Sequence, residues 1–162
     1  MESQILHNMK AKEYIQTMRK MAESQPNPKD RVNQVKFWDF ILENGRQFNE
    51  VVDSKLKEDL ARQITVDETK ACYANAQRVL VFVSQKYSYY EGHAISPVGL
   101  PVEHGWNVFR GKVIDLNPLY KNCRDYFGIK IPFWFVKNHI GKNFIWGSLK
   151  IQYIRKKLFR KV

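Results

Sequence analysis

The chain has 162 residues, 44% of them hydrophobic and 14% aromatic, which is one domain's length with enough apolar surface to bury a core; neither wholesale disorder nor a disulfide-stapled miniprotein fits. Two cysteines are too few for a secreted disulfide framework, no apolar run approaches a membrane span, and Met1-Glu2-Ser3-Gln4 lacks the basic-then-apolar order of a secretion signal, so the expected location is the reducing cytoplasm. The net charge of +11 is concentrated: residues 126–162 hold nine basic and no acidic side chains, whereas residues 1–125 carry only +2.

In chain order, residues 2–23 are expected to be helical, because Ile5, Met9, Tyr14 and Met18 recur at helical spacing among polar residues. Gln25-Pro26-Asn27-Pro28 breaks the pattern, since each proline fixes φ and disfavours α at the residue before it. A second helix carries Val35, Trp38, Ile41 and Leu42 and stops at Asn44-Gly45; a third, from about 46 to 63, carries Phe48, Val51, Val52, Leu56 and Leu60. Residues 70–85 form a fourth, with Cys72, Ala76, Val79, Leu80 and Val83 on one side. The texture then turns extended. Tyr87 to Ile95 suits a strand, and Glu103–Phe109 and Lys112–Leu116 flank Arg110-Gly111 as a hairpin. Phe133-Trp134-Phe135-Val136 fits a buried helix or a strand equally. Helices first and antiparallel strands later predict an α+β fold, one compact domain in three parts: a helical part over 1–66, a core of helix plus small antiparallel sheet over 67–130, and a basic aromatic segment over 131–162.

Three polar residues stand out by placement. Asp67 and Thr69 are both good N-caps, which would put Cys72 in the first turn of its helix; there the helix dipole and nearby backbone N–H groups favour the nucleophilic thiolate and can hold an oxyanion. If the hairpin is centred on Arg110-Gly111, paired positions sum to 221, and His104 and Asp115 become diagonal neighbours on one face. A carboxylate then orients one imidazole nitrogen while the other is available as a base for a cysteine.

Cys72-Tyr73-Ala74-Asn75-Ala76, Tyr90-Glu91-Gly92-His93-Ala94, Pro101-Val102-Glu103-His104-Gly105-Trp106 and Lys112-Val113-Ile114-Asp115 together resemble the core of the transglutaminase-like, papain-like cysteine superfamily. The likeness covers residues 70–118, with 32 residues from Cys72 to His104 and 11 more to Asp115; Gly105 stands where the superfamily usually has alanine, and Leu116-Asn117-Pro118 only approximates the usual Asp-Pro pair. The resemblance implies a nucleophile helix packed on a small antiparallel sheet. It also implies a catalytic triad of Cys72 as nucleophile, His104 as base then acid and Asp115 as its orienting partner, with no cofactor and a protein, peptide or small amide as substrate. Hydrolysis, deamidation and acyl transfer all pass through the same acyl-thioester.

Other residues have two readings each. Trp106 shields the His–Asp pair or is ordinary core; Glu91 grips a cationic substrate group or pairs with a surface lysine. Asn75 donates to the oxyanion or caps a loop, and Gln63 is the nearest upstream amide for an oxyanion hole. Cys72, His93, His104 and Cys123 match the ligand types of a zinc site but not its short spacings, so no metal is expected. A rival of another class is a basic protein that binds nucleic acid or an anionic surface through residues 126–162, where Ile151, Ile154 and Leu158 form an apolar stripe among lysines and arginines. A second rival is a catalytically inert papain-like binding module.

Overall fold

A computed structural model describes residues 9–67, 71–118, 122–138 and 140–141. The elements are α1 (Ala11–Glu23), α2 (Pro28–Asn44), β1 (Arg46–Phe48), α3 (Ser54–Gln63), α4 (Cys72–Arg78), β2 (Ser88–Ile95), β3 (Pro101–Phe109), β4 (Lys112–Ile114), β5 (Arg124–Ile131) and α5 (Phe133–Lys137). The fold is α+β. The five strands make one antiparallel sheet in the order β1-β5-β2-β3-β4.

Local chemistry sets most boundaries. Pro28 opens α2 behind Asn27, whose side chain accepts from the N–H groups of Lys29 and Asp30. Asp53 caps α3 by accepting from Leu56 N–H at 2.9 Å. The start of α1 is tied across the fold: Ala11 N–H donates to the Asp125 carboxylate at 2.9 Å. Arg110 (φ 50°) and Gly111 (φ 81°) both take the left-handed backbone that a two-residue hairpin between twisted strands requires.

The single helix expected over 46–63 is two elements. Arg46–Phe48 pairs with Tyr126–Gly128 of β5 as an edge strand, and the helix begins only behind the Asp53 cap. The fourth helix also differs. Expected over 70–85, it begins at Cys72, which is in its first turn as expected, but it is flanked by Ala71 rather than capped by Asp67, while Thr69 lies outside the described residues. After Arg78 it continues through Val79–Val83 as a π-helical turn closed by Ser84 N–H on Val79 O at 3.2 Å. Phe133–Lys137 is a short helix. Residues 2–8 and the amphipathic stretch over 150–162 lie outside the described residues.

The N-terminal helices do not form a separate bundle. Ile15 of α1, Trp38, Phe40 and Ile41 of α2, and Ala76 and Leu80 of the α4 region share one buried cluster with Tyr89, Phe127, Ile129 and Ile131 from the sheet. A second cluster holds the other inward residues of those strands: Phe48, Tyr90, Trp106, Val113, Cys123 and Tyr126. A third joins Leu60 of α3 to Val79, Tyr87 and Ile114. The sheet is thus apolar on both faces, with α1, α2 and α4 over the first.

Candidate active site

Where α4 meets β3 sets the geometry. A Cβ on Gly105 would lie 3.0 Å from Tyr73 Cα and 3.3 Å from Tyr73 N, so only glycine lets the first turn of α4 lie this close against the strand. Gly105 follows His104 and Tyr73 follows Cys72; the close approach brings thiol and imidazole together. The start of α4 is held from behind as well. Asn75 makes two bonds to the backbone of Asp67, donating to its carbonyl at 2.9 Å and accepting its N–H at 3.0 Å. Arg78 pairs with the Asp67 carboxylate at 2.8 Å and donates to Thr65 O at 2.7 Å.

The β3–β4 ladder runs Asn107↔Ile114, Val108↔Val113, Phe109↔Lys112, the register expected from Arg110-Gly111. It places Asp115 just beyond β4, with its Oδ2 2.7 Å from His104 Nε2. His104 is fully buried, and Cys72 lies close enough to act on its imidazole. Burial pulls the His104 pKa down, but the charge and hydrogen bond of Asp115, reinforced by Cys72, outweigh it and raise the pKa to about 10. The structure brings Cys72, His104 and Asp115 together, with Asp115 hydrogen-bonded to the imidazole and Cys72 beside it.

Tyr126 is a member that the sequence did not disclose. Its hydroxyl lies 3.0 Å from Asp115 Oδ2 and 3.0 Å from Cys123 O, and Asp115 Oδ1 accepts Asn117 N–H at 3.0 Å. The aspartate is thus held by three donors. Burial, then Asp115, push the Tyr126 phenol far above its ordinary value, so it stays a donor. Trp106 lies nearly parallel to the His104 ring at 6.3 Å and 5.2 Å from Tyr126, sealing this side from water. Its indole extends over Gly128, where a Cβ would come within 2.6 Å of the ring.

The chain matches no known family model, no curated protein and no solved structure.

Several other expected site residues are placed elsewhere. Glu91 is fully buried but pairs with Gly105, so by strand alternation it projects from the face opposite His104. There it accepts the Tyr89 hydroxyl at 2.6 Å, and Tyr89 in turn accepts from Gln77 of α4 at 3.1 Å. The Asn75 amide donates to the Asp67 carbonyl and so orients the chain before α4. Gln63 is exposed and donates to Asp59 O, one turn back on its own helix. His93 sits on the α1–α2 side against Tyr14 and Trp38, at ring distances of 4.9 and 6.2 Å, and burial lowers its pKa to about 4. Burial, then Asp115 and Cys72, raise the Cys123 thiol to about 12, which leaves it inert. The four zinc-type ligands do not converge: among the described residues no group of three or more His, Cys, Asp or Glu is placed to hold a metal ion. Also among the described residues, no helix is long and apolar enough to cross a membrane.

Proposed function

We propose that the protein is a cysteine-dependent amide or ester hydrolase or acyltransferase with the fold of the transglutaminase-like, papain-like superfamily. The observation that carries this is the run Cys72–His104–Asp115, assembled from a helix start, a strand and the end of the next strand. In this reading the Cys72 thiolate attacks the substrate carbonyl carbon. The tetrahedral oxyanion collapses, the carbon–nitrogen or carbon–oxygen bond breaks, and the imidazolium of His104 gives its proton to the departing amine or alcohol. Water or an amine then attacks the acyl-thioester, His104 takes its proton, and Cys72 leaves. Asp115, fixed by Tyr126 and Asn117 N–H, holds the ring in the tautomer and orientation both half-reactions need. The N–H groups at the start of α4 remain as oxyanion donors.

The test is intact-mass analysis of the whole protein after exposure to an activated acyl ester. A single acyl adduct on Cys72, lost in His104→Ala, supports the reading. The inert-module reading draws on Cys72 being only 6% exposed, beside a wholly buried His104. It predicts no adduct, and thiol alkylation no faster than that of a free cysteine.

A further inference from the structure

One end of the sheet gathers exposed apolar side chains. Tyr89, near the start of β2, pairs with Ile131 at the end of β5, and Ser88 pairs with Val108 near the end of β3. The π-helical turn Val79–Val83 that leads toward β2, the helix α5 that follows β5 and the Arg110-Gly111 turn after β3 therefore lie at this same end, and α5 packs against the π-helical turn. Gly141 N–H donates to the Gln77 side chain of α4 at 2.7 Å, which brings the chain after α5 back to the same place. Val79 and Leu80 are buried and Phe82 is left outward, 67% exposed. Phe135 and Val136 are buried and Trp134 is left outward, 50% exposed; Ile140 is exposed as well.

The charge at this end has one sign. Lys86 lies over the rings of Tyr87 and Phe109 at 4.9 and 5.6 Å, and Arg110 lies over Phe109 at 5.1 Å. Lys130 comes one residue before Ile131, and Lys137 ends α5. All four cations are exposed, and among the described residues none of them pairs with a carboxylate, whereas Lys112 of the same hairpin pairs with Glu50 at 3.4 Å. Grouped apolar side chains held out in water, with unpaired cations beside them, mark an interaction surface for an anionic partner.

We propose that this end of the sheet docks on an anionic lipid surface, with Phe82, Trp134 and Ile140 entering the boundary between headgroups and acyl chains and Lys86, Arg110, Lys130 and Lys137 facing the lipid anions. Charge selects the anionic surface, and the apolar side chains hold the protein there once it arrives. An indole suits headgroup depth, because its ring is apolar and its N–H needs a polar partner. Ile140 has no flat face on which a base could stack, which favours lipid over single-stranded nucleic acid. The proposal stands apart from the acyl-transfer reading and does not require it.

Flotation of the full protein with vesicles tests it, comparing phosphatidylcholine alone with phosphatidylcholine containing about one-third phosphatidylserine. The protein should float with the serine lipid and only weakly without it. Phe82→Ser and Trp134→Ser should each lower the partition about tenfold, the worth of burying part of one aromatic ring. Lys86→Gln and Lys137→Gln should each lower it about fivefold on the anionic vesicles. Val98→Ser is the control: Val98 is 65% exposed in the turn between Ile95 and Pro101, at the opposite end of β2, and its loss should change nothing. All five side chains are exposed, so the variants should unfold in urea as the wild type does. No binding to the anionic vesicles overturns the proposal. So does binding that survives both aromatic substitutions, which would leave charge alone as its cause, or an equal loss in Val98→Ser. Self-association that Phe82→Ser abolishes would assign the surface to a second copy of the chain, and binding to poly(U) without binding to vesicles would assign it to nucleic acid; either result overturns the lipid assignment.

Discussion

Adding one methyl group at Gly105 is the most direct way to separate the roles of packing and chemistry. The Cβ of Gly105→Ala would stand 2.8 Å from Tyr73 Cδ1 and 3.0 Å from Tyr73 Cα. Carbon pairs at rest sit about 3.5–4.0 Å apart, so the first turn of α4 must retreat by roughly 0.5–1 Å. The aromatic ring can turn aside; the Tyr73 backbone cannot without carrying Cys72 with it. Over-packing of this kind costs about 1–3 kcal/mol. Gly105 has no positive φ, so alanine also gains about 0.4–1 kcal/mol from the smaller freedom of the unfolded chain. The balance is a loss of roughly 1–2 kcal/mol, which leaves most of the protein folded at room temperature. The proposed reacting pair is more sensitive. A displacement of half an ångström or more at a near-attack contact should slow Cys72 about tenfold. The assay is the iodoacetamide alkylation rate of Cys72 by intact mass, beside urea unfolding of the same samples. A variant that keeps the wild-type Cys72 rate while losing no stability would refute the claim that this glycine sets the Cys72–His104 contact.

Tyr126→Phe removes a hydroxyl shared by Asp115 and Cys123 O and should cost about 1–2 kcal/mol, with a several-fold slower Cys72 alkylation; an unchanged rate would mean that Asp115 needs no third donor. Cys123, held at about 12 by burial and its acidic neighbours, should stay unmodified at pH 7–8 while Cys72 reacts, and Cys123→Ala should leave the Cys72 rate as it is; peptide mapping of the adducts checks both. His93 has a folded pKa of about 4, below its unfolded value near 6.5, so the fold favours its neutral form: its contribution is complete above 6.5 and is lost as pH falls from 6.5 toward 4, on the order of 3 kcal/mol. Urea unfolding across that range should show the loss, and His93→Phe should flatten it; an unchanged slope would place the acid sensitivity elsewhere.

What could be read from the sequence was what depends on neighbours in sequence or on one turn. The β3–β4 register was legible because Arg110-Gly111 can supply two left-handed residues, and a two-residue turn leaves only one way to pair the flanking strands. That register alone brings His104 near Asp115. The helix expected over 46–63 failed for an equally physical reason. Phe48, Val51, Val52, Leu56 and Leu60 fit a helical stripe, but Phe48 belongs to a different cluster from Leu60. What ends the preceding helix is Gly45, which accepts the Phe127 ring against its backbone where a side chain would not fit, and the chain then pairs with β5. Nothing within 46–63 encodes that partner.

The same division runs through the site. Cys72, His104 and Asp115 are linked by a helix start and a hairpin, features with local signatures, whereas Tyr126 arrives on β5, which inserts beside β2 from outside the hairpin. Its sequence shows only an aromatic in an alternating strand; the hydroxyl's target follows from sheet order, which no short pattern specifies. Glu91 could not be placed from its neighbours in sequence. Its acidity among tyrosines drew attention, but the parity of β2 against β3 decides its face: Gly92 pairs with His104, so Glu91 must project the other way. Once that pairing is fixed, each neighbour has one assignment. Tyr90 and Trp106 join the face of the imidazole, while Tyr89 and Glu91 join the face under α4. The His104–Asp115 pair on one face and a hydrogen-bonded anchor for α4 on the other are therefore two readings of a single register, and a slip of one residue would remove both at once.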